Sequence, residues 1–185
     1  MSLLRSILRS YKKKPKTPSE ILLLVNRFAN ESSIEAGEEA AILLSPNTDQ
    51  FFNDLDLSAK NILREISNNT LMISRTTADD HGTQWIVLKS EDFGALVKGI
   101  DHFSTSIADK GLGSQMIAAV FKGTIENKDS YWICNYRTAS YYPFVPIGKR
   151  ERDFDREIIL SGIFKHHRMP VEPTENWYSL WDSPF

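Results

Sequence analysis

The sequence has one cysteine, Cys134, among 185 residues, so no disulfide can form within a single chain. No apolar run approaches the ~20 residues of a membrane-spanning helix, and the longest, Met116–Phe121, has six residues. The first residues also lack the apolar core of ~7–15 residues that a secretory signal needs. These absences predict a protein of the cytoplasm, where thiols stay reduced.

Motifs for metal binding or catalysis are scarce as well. The chain has no HExxH and no CxxC, and the adjacent His166 and His167 would point about 100° apart on a helix, which disfavours a shared ion. Cys134 lies among aromatic residues, where a free cysteine is usually a small buried hydrophobe. Gly111 and Gly113 precede a predicted strand, whereas a phosphate-binding loop follows one. We therefore predict no metal, no cofactor and no enzymatic activity.

Charge is distributed unevenly along the chain. Residues 1–16 hold six of the 22 basic residues and no acidic residue, so residues 17–185 carry 16 basic and 24 acidic residues, a net charge of −8. Binding to nucleic acid needs a basic surface that can contact phosphates. The acidic body therefore argues against nucleic acid as a partner.

The basic start of the chain is predicted to be a docking segment, residues 1–17, attached to a domain formed by residues 18–185. Apolar side chains within residues 2–11 share one face of a short helix, and basic side chains fall on the other face. Such a helix is marginal alone in water, but it can lie in the headgroup region of an anionic membrane or pack on a partner's helices or on its own domain. The residues predicted to dock onto a membrane or a partner are Leu3, Leu4, Arg5, Ile7, Leu8 and Arg9.

Hydrophobic periodicity in the remaining sequence predicts alternating helices and hairpins. Strands are predicted at residues 39–45, 70–77, 83–89, 114–124 and 131–139, and helices at residues 17–30, 49–67, 91–110 and 157–165. The apolar run ILLLV within residues 17–30 also suits a strand. This order favours a single α+β domain, in which an antiparallel sheet of about five strands is packed by helices. The Pro-rich tail from Met169 is expected to wrap over the body.

Residues 130–145, SYWICNYRTASYYPFV, hold six aromatic side chains in sixteen residues. Tyr and Arg are favoured at the centres of protein interfaces, because they combine contact area with hydrogen bonding. Arg137, Tyr141, Tyr142 and Phe144 are therefore predicted to bind a partner protein. The alternative is that these aromatic residues close one edge of the core.

The turn sequence Asp79-Asp80-His81-Gly82 carries the most polar group of side chains. A histidine beside two carboxylates could serve as a general base, in a small-ligand module or enzyme with a cleft near His81 and Arg137. The alternative is an ordinary hairpin turn, where Asp and Gly are favoured for backbone reasons. No convincing nucleophile accompanies this group.

Five segments together resemble the PspA-associated PspAB family of archaea and actinobacteria. They are Asp79–Leu88, Lys110–Phe121, Tyr131–Pro146, Arg150–Asp153 and Val171–Trp181. The resemblance implies association with phage-shock protein A (PspA), a membrane-binding coiled-coil protein that protects stressed membranes, and it supplies no catalytic residues. We therefore expect a non-catalytic accessory or regulatory protein of a PspA-type membrane stress response, which is cytoplasmic or peripheral at the inner face of the cell membrane.

Overall fold

The protein folds as an α+β domain, as predicted, in a computed structural model that describes residues 34–66, 70–79, 82–181 and 183–185. Single turns of 3-10 helix lie at Gly113–Gln115 and Thr174–Asn176. The other elements, in chain order, are β1 (Ile34–Leu44), α1 (Gln50–Asn53), α2 (Leu55–Arg64), β2 (Met72–Ala78), β3 (Gln84–Lys89), α3 (Phe93–Asp109), β4 (Met116–Ile125), β5 (Lys128–Asn135), β6 (Ser140–Phe144), β7 (Pro146–Gly148), β8 (Glu151–Arg152) and α4 (Phe154–His166).

The main sheet has six antiparallel strands in the order β2-β3-β1-β4-β5-β6, and β7 and β8 form a separate two-stranded sheet. The sequence predicts about five strands, because the strand predicted at residues 131–139 runs through a turn and no strand is predicted after residue 139. In the structure β5 ends at Asn135, the chain turns with Ala139 at φ 55°, and β6 returns along β5. Pro143 is tolerated in β6 because this strand lies at the edge of the sheet.

Both faces of the sheet are buried in its central part, whereas the edge strand β2 is largely exposed. One face packs against the four helices and forms the larger core cluster. The opposite face, centred on Val87, Val120 and Ile133, is packed by the C-terminal tail through the buried Trp177. The central strands are therefore apolar on both sides, which explains why their sequences lack the alternation of a half-exposed strand.

Aspartate side chains set the starts of several helices. The predicted helix at residues 49–67 is two helices, because Asp54 interrupts it and accepts a hydrogen bond from the backbone N–H of Leu57 at 3.0 Å. Asp92 caps α3 through the backbone N–H of Gly94 at 2.8 Å, so this helix begins two residues after the predicted start. Asp153 caps α4, which begins three residues before the predicted start. The predicted helix at residues 17–30 lies outside the described residues.

Candidate functional site

The predicted aromatic partner site is interior rather than surface. Tyr141, Tyr142 and Phe144 are buried, with Tyr141 on the helix-packed face and the other two on the face packed by the tail. Burial raises the pKa of the Tyr142 hydroxyl far above its ordinary value. Of the four residues predicted to bind a partner, Arg137 is the exposed one. The prediction of an exposed aromatic edge is therefore corrected, and the alternative of a core edge describes where these rings lie.

Asp79 accepts two backbone hydrogen bonds in the connection between β2 and β3, which is the role that the alternative of a hairpin turn predicts. Its side chain accepts a hydrogen bond from the backbone N–H of Thr83 at 2.9 Å, and its carbonyl accepts one from Gly82 at 2.9 Å, with Gly82 at φ 78°. Asp80 and His81 lie outside the described residues. The turn that holds Arg137 lies at the same end of the sheet. Strands β1 and β4 lie between β3 and β5, the nearest strands of the two turns, so β3 and β5 are about 14 Å apart at ordinary strand spacing. A ligand would have to span this distance to contact both turns.

The docking residues predicted in the first segment also lie outside the described residues: Leu3, Leu4, Arg5, Ile7, Leu8 and Arg9. Across the described part of the chain, every helix falls short of the length and apolarity that crossing a bilayer requires. Within the same residues, no group of three or more His, Cys, Asp or Glu side chains is arranged to hold a metal ion.

Helix α4 presents an exposed apolar surface that sequence reasoning missed. Phe154, Ile158 and Ile159 are 49%, 43% and 53% exposed. Gly162, one turn further on, has open space where a side chain would lie. These four residues are called the α4 face. The signal in the sequence was the run Ile158-Ile159-Leu160, because three consecutive apolar residues on a helix cannot all point into one core; the structure buries Leu160.

An ion pair beneath α4 fixes this helix to the rest of the domain. Glu157 is fully buried, and its carboxylate accepts hydrogen bonds from Arg152 Nε at 2.8 Å and from the backbone N–H of Val145 at 2.8 Å. Arg152 also donates to the carbonyl of Trp177 at 3.0 Å, and its guanidinium lies 5.4 Å from the ring centre of Phe144. Burial raises the pKa of Glu157, while the hydrogen bond from Arg152 opposes this shift. One arginine therefore joins β8, α4, the sheet and the C-terminal tail.

A second buried carboxylate, Glu172, attaches the tail to the turn between β5 and β6. It accepts hydrogen bonds from Asn135 Nδ2 at 3.1 Å and from the hydroxyl of Thr138. Beside it, the backbone N–H of Tyr141 donates to the carbonyl of Pro170 at 2.8 Å, and the N–H of Glu172 donates back to Tyr141 at 2.8 Å. The tail segment that carried part of the family resemblance is thus bonded to the sheet edge.

A groove of about 590 Å³ lies between the β7–β8 turn and the end of the tail. It is lined by Tyr131, Pro146, Gly148, Lys149, Arg150, Leu180, Trp181, Ser183 and Phe185. The Tyr131 ring stacks on Phe185 with centres 5.4 Å apart. Burial raises the pKa of the Tyr131 hydroxyl, while a side-chain hydrogen bond with Ser183 opposes this shift. The groove combines aromatic walls with two cationic side chains.

Comparison with known proteins identifies one family. The family model described as PspAB, PspA associated protein B, matches residues 1–185. No curated protein and no solved structure matches the chain.

Proposed function

Because this chain belongs to the PspA associated protein B family, we propose that it is a non-catalytic accessory protein that docks onto PspA through the α4 face. The observation that carries the proposal is the exposure of neighbouring isoleucines on a helix that is itself firmly fixed to the domain. The protein would act in the cytoplasm, at the inner face of a stressed membrane, as part of a membrane stress response.

Exposed apolar residues that occur singly are normal on soluble proteins, whereas contiguous ones mark contact surfaces. Phe154, Ile158 and Gly162 follow one another at intervals of four residues, which is the spacing of a ridge that packs into the groove of another helix. The absence of a side chain at Gly162 lets a partner helix approach closely. If PspA is a coiled coil, as the sequence resemblance implies, it offers helices of this kind.

Replacing Ile158 and Ile159 together with serine is expected to weaken PspA binding by roughly thirty-fold, about 2 kcal/mol. Each side chain would lose apolar area that the complex buries, and neither side chain belongs to the domain core, so the fold should survive. Pull-down with the cognate PspA, followed by titration calorimetry of the parent protein and the double variant, measures this effect.

The matched control is Leu57→Ser on α2, an apolar residue that is 50% exposed but lies away from the α4 face. This variant should bind PspA like the parent protein. Unchanged affinity in the Ile158→Ser, Ile159→Ser protein, or an equal loss in the Leu57→Ser protein, would contradict docking through α4.

The basic segment at residues 1–17 is proposed to add a membrane contact. Each basic residue near an anionic surface contributes ~1 kcal/mol to membrane binding. Replacing both Arg5 and Arg9 with glutamate should therefore cost about 2 kcal/mol of binding free energy. This loss should reduce flotation with anionic vesicles by ten-fold or more. The control Lys98→Glu with Lys110→Glu changes the net charge equally at exposed positions of the domain. Equal flotation of the two proteins would remove the proposed role of the segment.

A further inference from the structure

The groove between the β7–β8 turn and the tail has the dimensions of a ligand site. Its volume of about 590 Å³ lies within the range of roughly 300–1,000 Å³ that small-molecule sites occupy. It is built on fixed elements, because Tyr131 belongs to β5 in the main sheet and Arg152, in β8, is held by Glu157. The groove is therefore a preformed surface feature of the domain.

Two cations, Lys149 and Arg150, lie at the rim of the groove. Lys149 and Arg150 are exposed, and neither takes part in the ion pairs formed among the described residues. Those described residues that line the groove include no Asp or Glu side chain. On a body with a net charge of −8, two neighbouring cations that form no ion pair among the described residues create a local site for an anion. Arginine and lysine are the side chains that bind phosphate groups in proteins.

The lining also contains three aromatic residues, Tyr131, Trp181 and Phe185. Phe185 stacks on Tyr131 at 5.4 Å, and Trp181 packs edge-on against Phe144 at 5.0 Å between ring centres. Trp181 and Phe185 each keep part of their surface in contact with solvent. A flat ring bound in the groove could therefore extend this group of stacked rings, an arrangement that is favourable for aromatic pairs.

We propose that the groove binds a small aromatic phosphate of mononucleotide size, with its ring against Trp181 and Phe185 and its phosphate at Lys149 and Arg150. The ring of the ligand matches the aromatic residues of the lining, and its phosphate matches the two cations. Tyr131 and Ser183 also line the groove, and their hydroxyl groups can form hydrogen bonds. This site is separate from the α4 face.

The proposal is tested by titrating the full chain with AMP and with UMP and following tryptophan fluorescence, since Trp181 lines the groove. Saturable binding with a dissociation constant below about 1 mM is expected for at least one of them. Adenosine has the aromatic ring without the phosphate, and inorganic phosphate has no ring. Each of these two compounds should bind at least ten-fold more weakly than the nucleotide. Absence of saturation by both nucleotides, or equal affinity for adenosine or inorganic phosphate, overturns the proposal.

The decisive variant is Lys149→Ala combined with Arg150→Gly. Arg150 has φ 60°, a conformation that glycine adopts without strain, so this protein should fold normally and still bind PspA. Its affinity for the nucleotide should fall at least ten-fold. Lys98→Ala with Lys110→Ala removes the same charge at exposed positions outside the groove and should change nothing. Retained affinity in the groove variant, or an equal loss in the control, refutes the site.

The two proposals fail independently. The Ile158→Ser, Ile159→Ser protein should bind the nucleotide with unchanged affinity, because these residues lie outside the groove lining. Loss of nucleotide binding in that protein would contradict a site confined to the groove.

Discussion

The free energy of unfolding of the variant Arg152→Met should be about 3 kcal/mol lower than that of the parent protein. The substitution leaves the Glu157 carboxylate buried without its cation, and breaking one side of a buried ion pair typically costs about 3–5 kcal/mol. The lower end applies here, because part of the Arg152 side chain reaches solvent. Urea denaturation followed by circular dichroism measures the difference.

This loss should depend on pH in a defined direction. Burial raises the pKa of Glu157, and removing the opposing hydrogen bonds of Arg152 raises it further. A carboxyl group whose pKa is raised by folding adds most to the free energy of unfolding at pH values below its unfolded pKa of about 4.5. This stabilisation is lost as the pH rises through the folded pKa. The deficit of Arg152→Met should therefore be smallest below about pH 4.5 and should grow toward neutral pH.

Two further variants separate the buried pair from surface effects. Adding Glu157→Gln to Arg152→Met should recover part of the lost stability at neutral pH, because the amide oxygen still accepts from Val145 without carrying a charge. Arg156→Ala, which breaks more exposed pairs with Glu126 and Asp153, should cost less than about 1 kcal/mol. A loss for Arg152→Met no larger than that for Arg156→Ala would show that the buried pair does not hold α4.

Trp132→Ala is expected to destabilise the domain by about 4 kcal/mol. Replacement of a large buried aromatic residue by alanine removes transfer free energy and leaves a cavity. Trp132 is almost fully buried, its ring centre lies 6.0 Å from that of Phe93 and 6.3 Å from that of Phe164, and its Nε1 donates to Ser130. The ring joins β5 to helices α3 and α4, so both helices should lose packing.

Thermal or urea unfolding of Trp132→Ala should be compared with Tyr178→Ala, which removes an aromatic side chain that is 62% exposed. The control should change stability by less than about 0.5 kcal/mol. If the two variants lost similar amounts, the ring of Trp132 would not be the packing centre that its burial indicates.

Much of the fold was predictable because hydrophobic periodicity reports burial directly. The antiparallel α+β architecture follows from the order of periodic segments, and the helix end at Gly111 follows from the φ of 81° that glycine accepts there. The division between β5 and β6 was not predictable in the same way. Both strands are buried on both faces, so no change of period separates them, and the turn contains neither Gly nor Pro.

The candidate sites were harder to predict, because sequence reports residue type but not exposure. Tyr141, Tyr142 and Phe144 have the composition of an interface, yet the tail and the helices cover them. Ile158 and Ile159 have the composition of a core, yet they face solvent. The groove depends on residues more than 30 positions apart, Lys149 and Trp181, that come together only through tertiary structure.

The bonds between the tail and β6 also limit how the molecule can self-associate. A strand at the border of a sheet normally offers free N–H and C=O groups, on which a second copy can add its own strand. Here the tail already occupies the N–H and C=O of Tyr141, and Pro143 has no N–H to donate. While the tail stays in place, this border cannot act as a template for polymerisation.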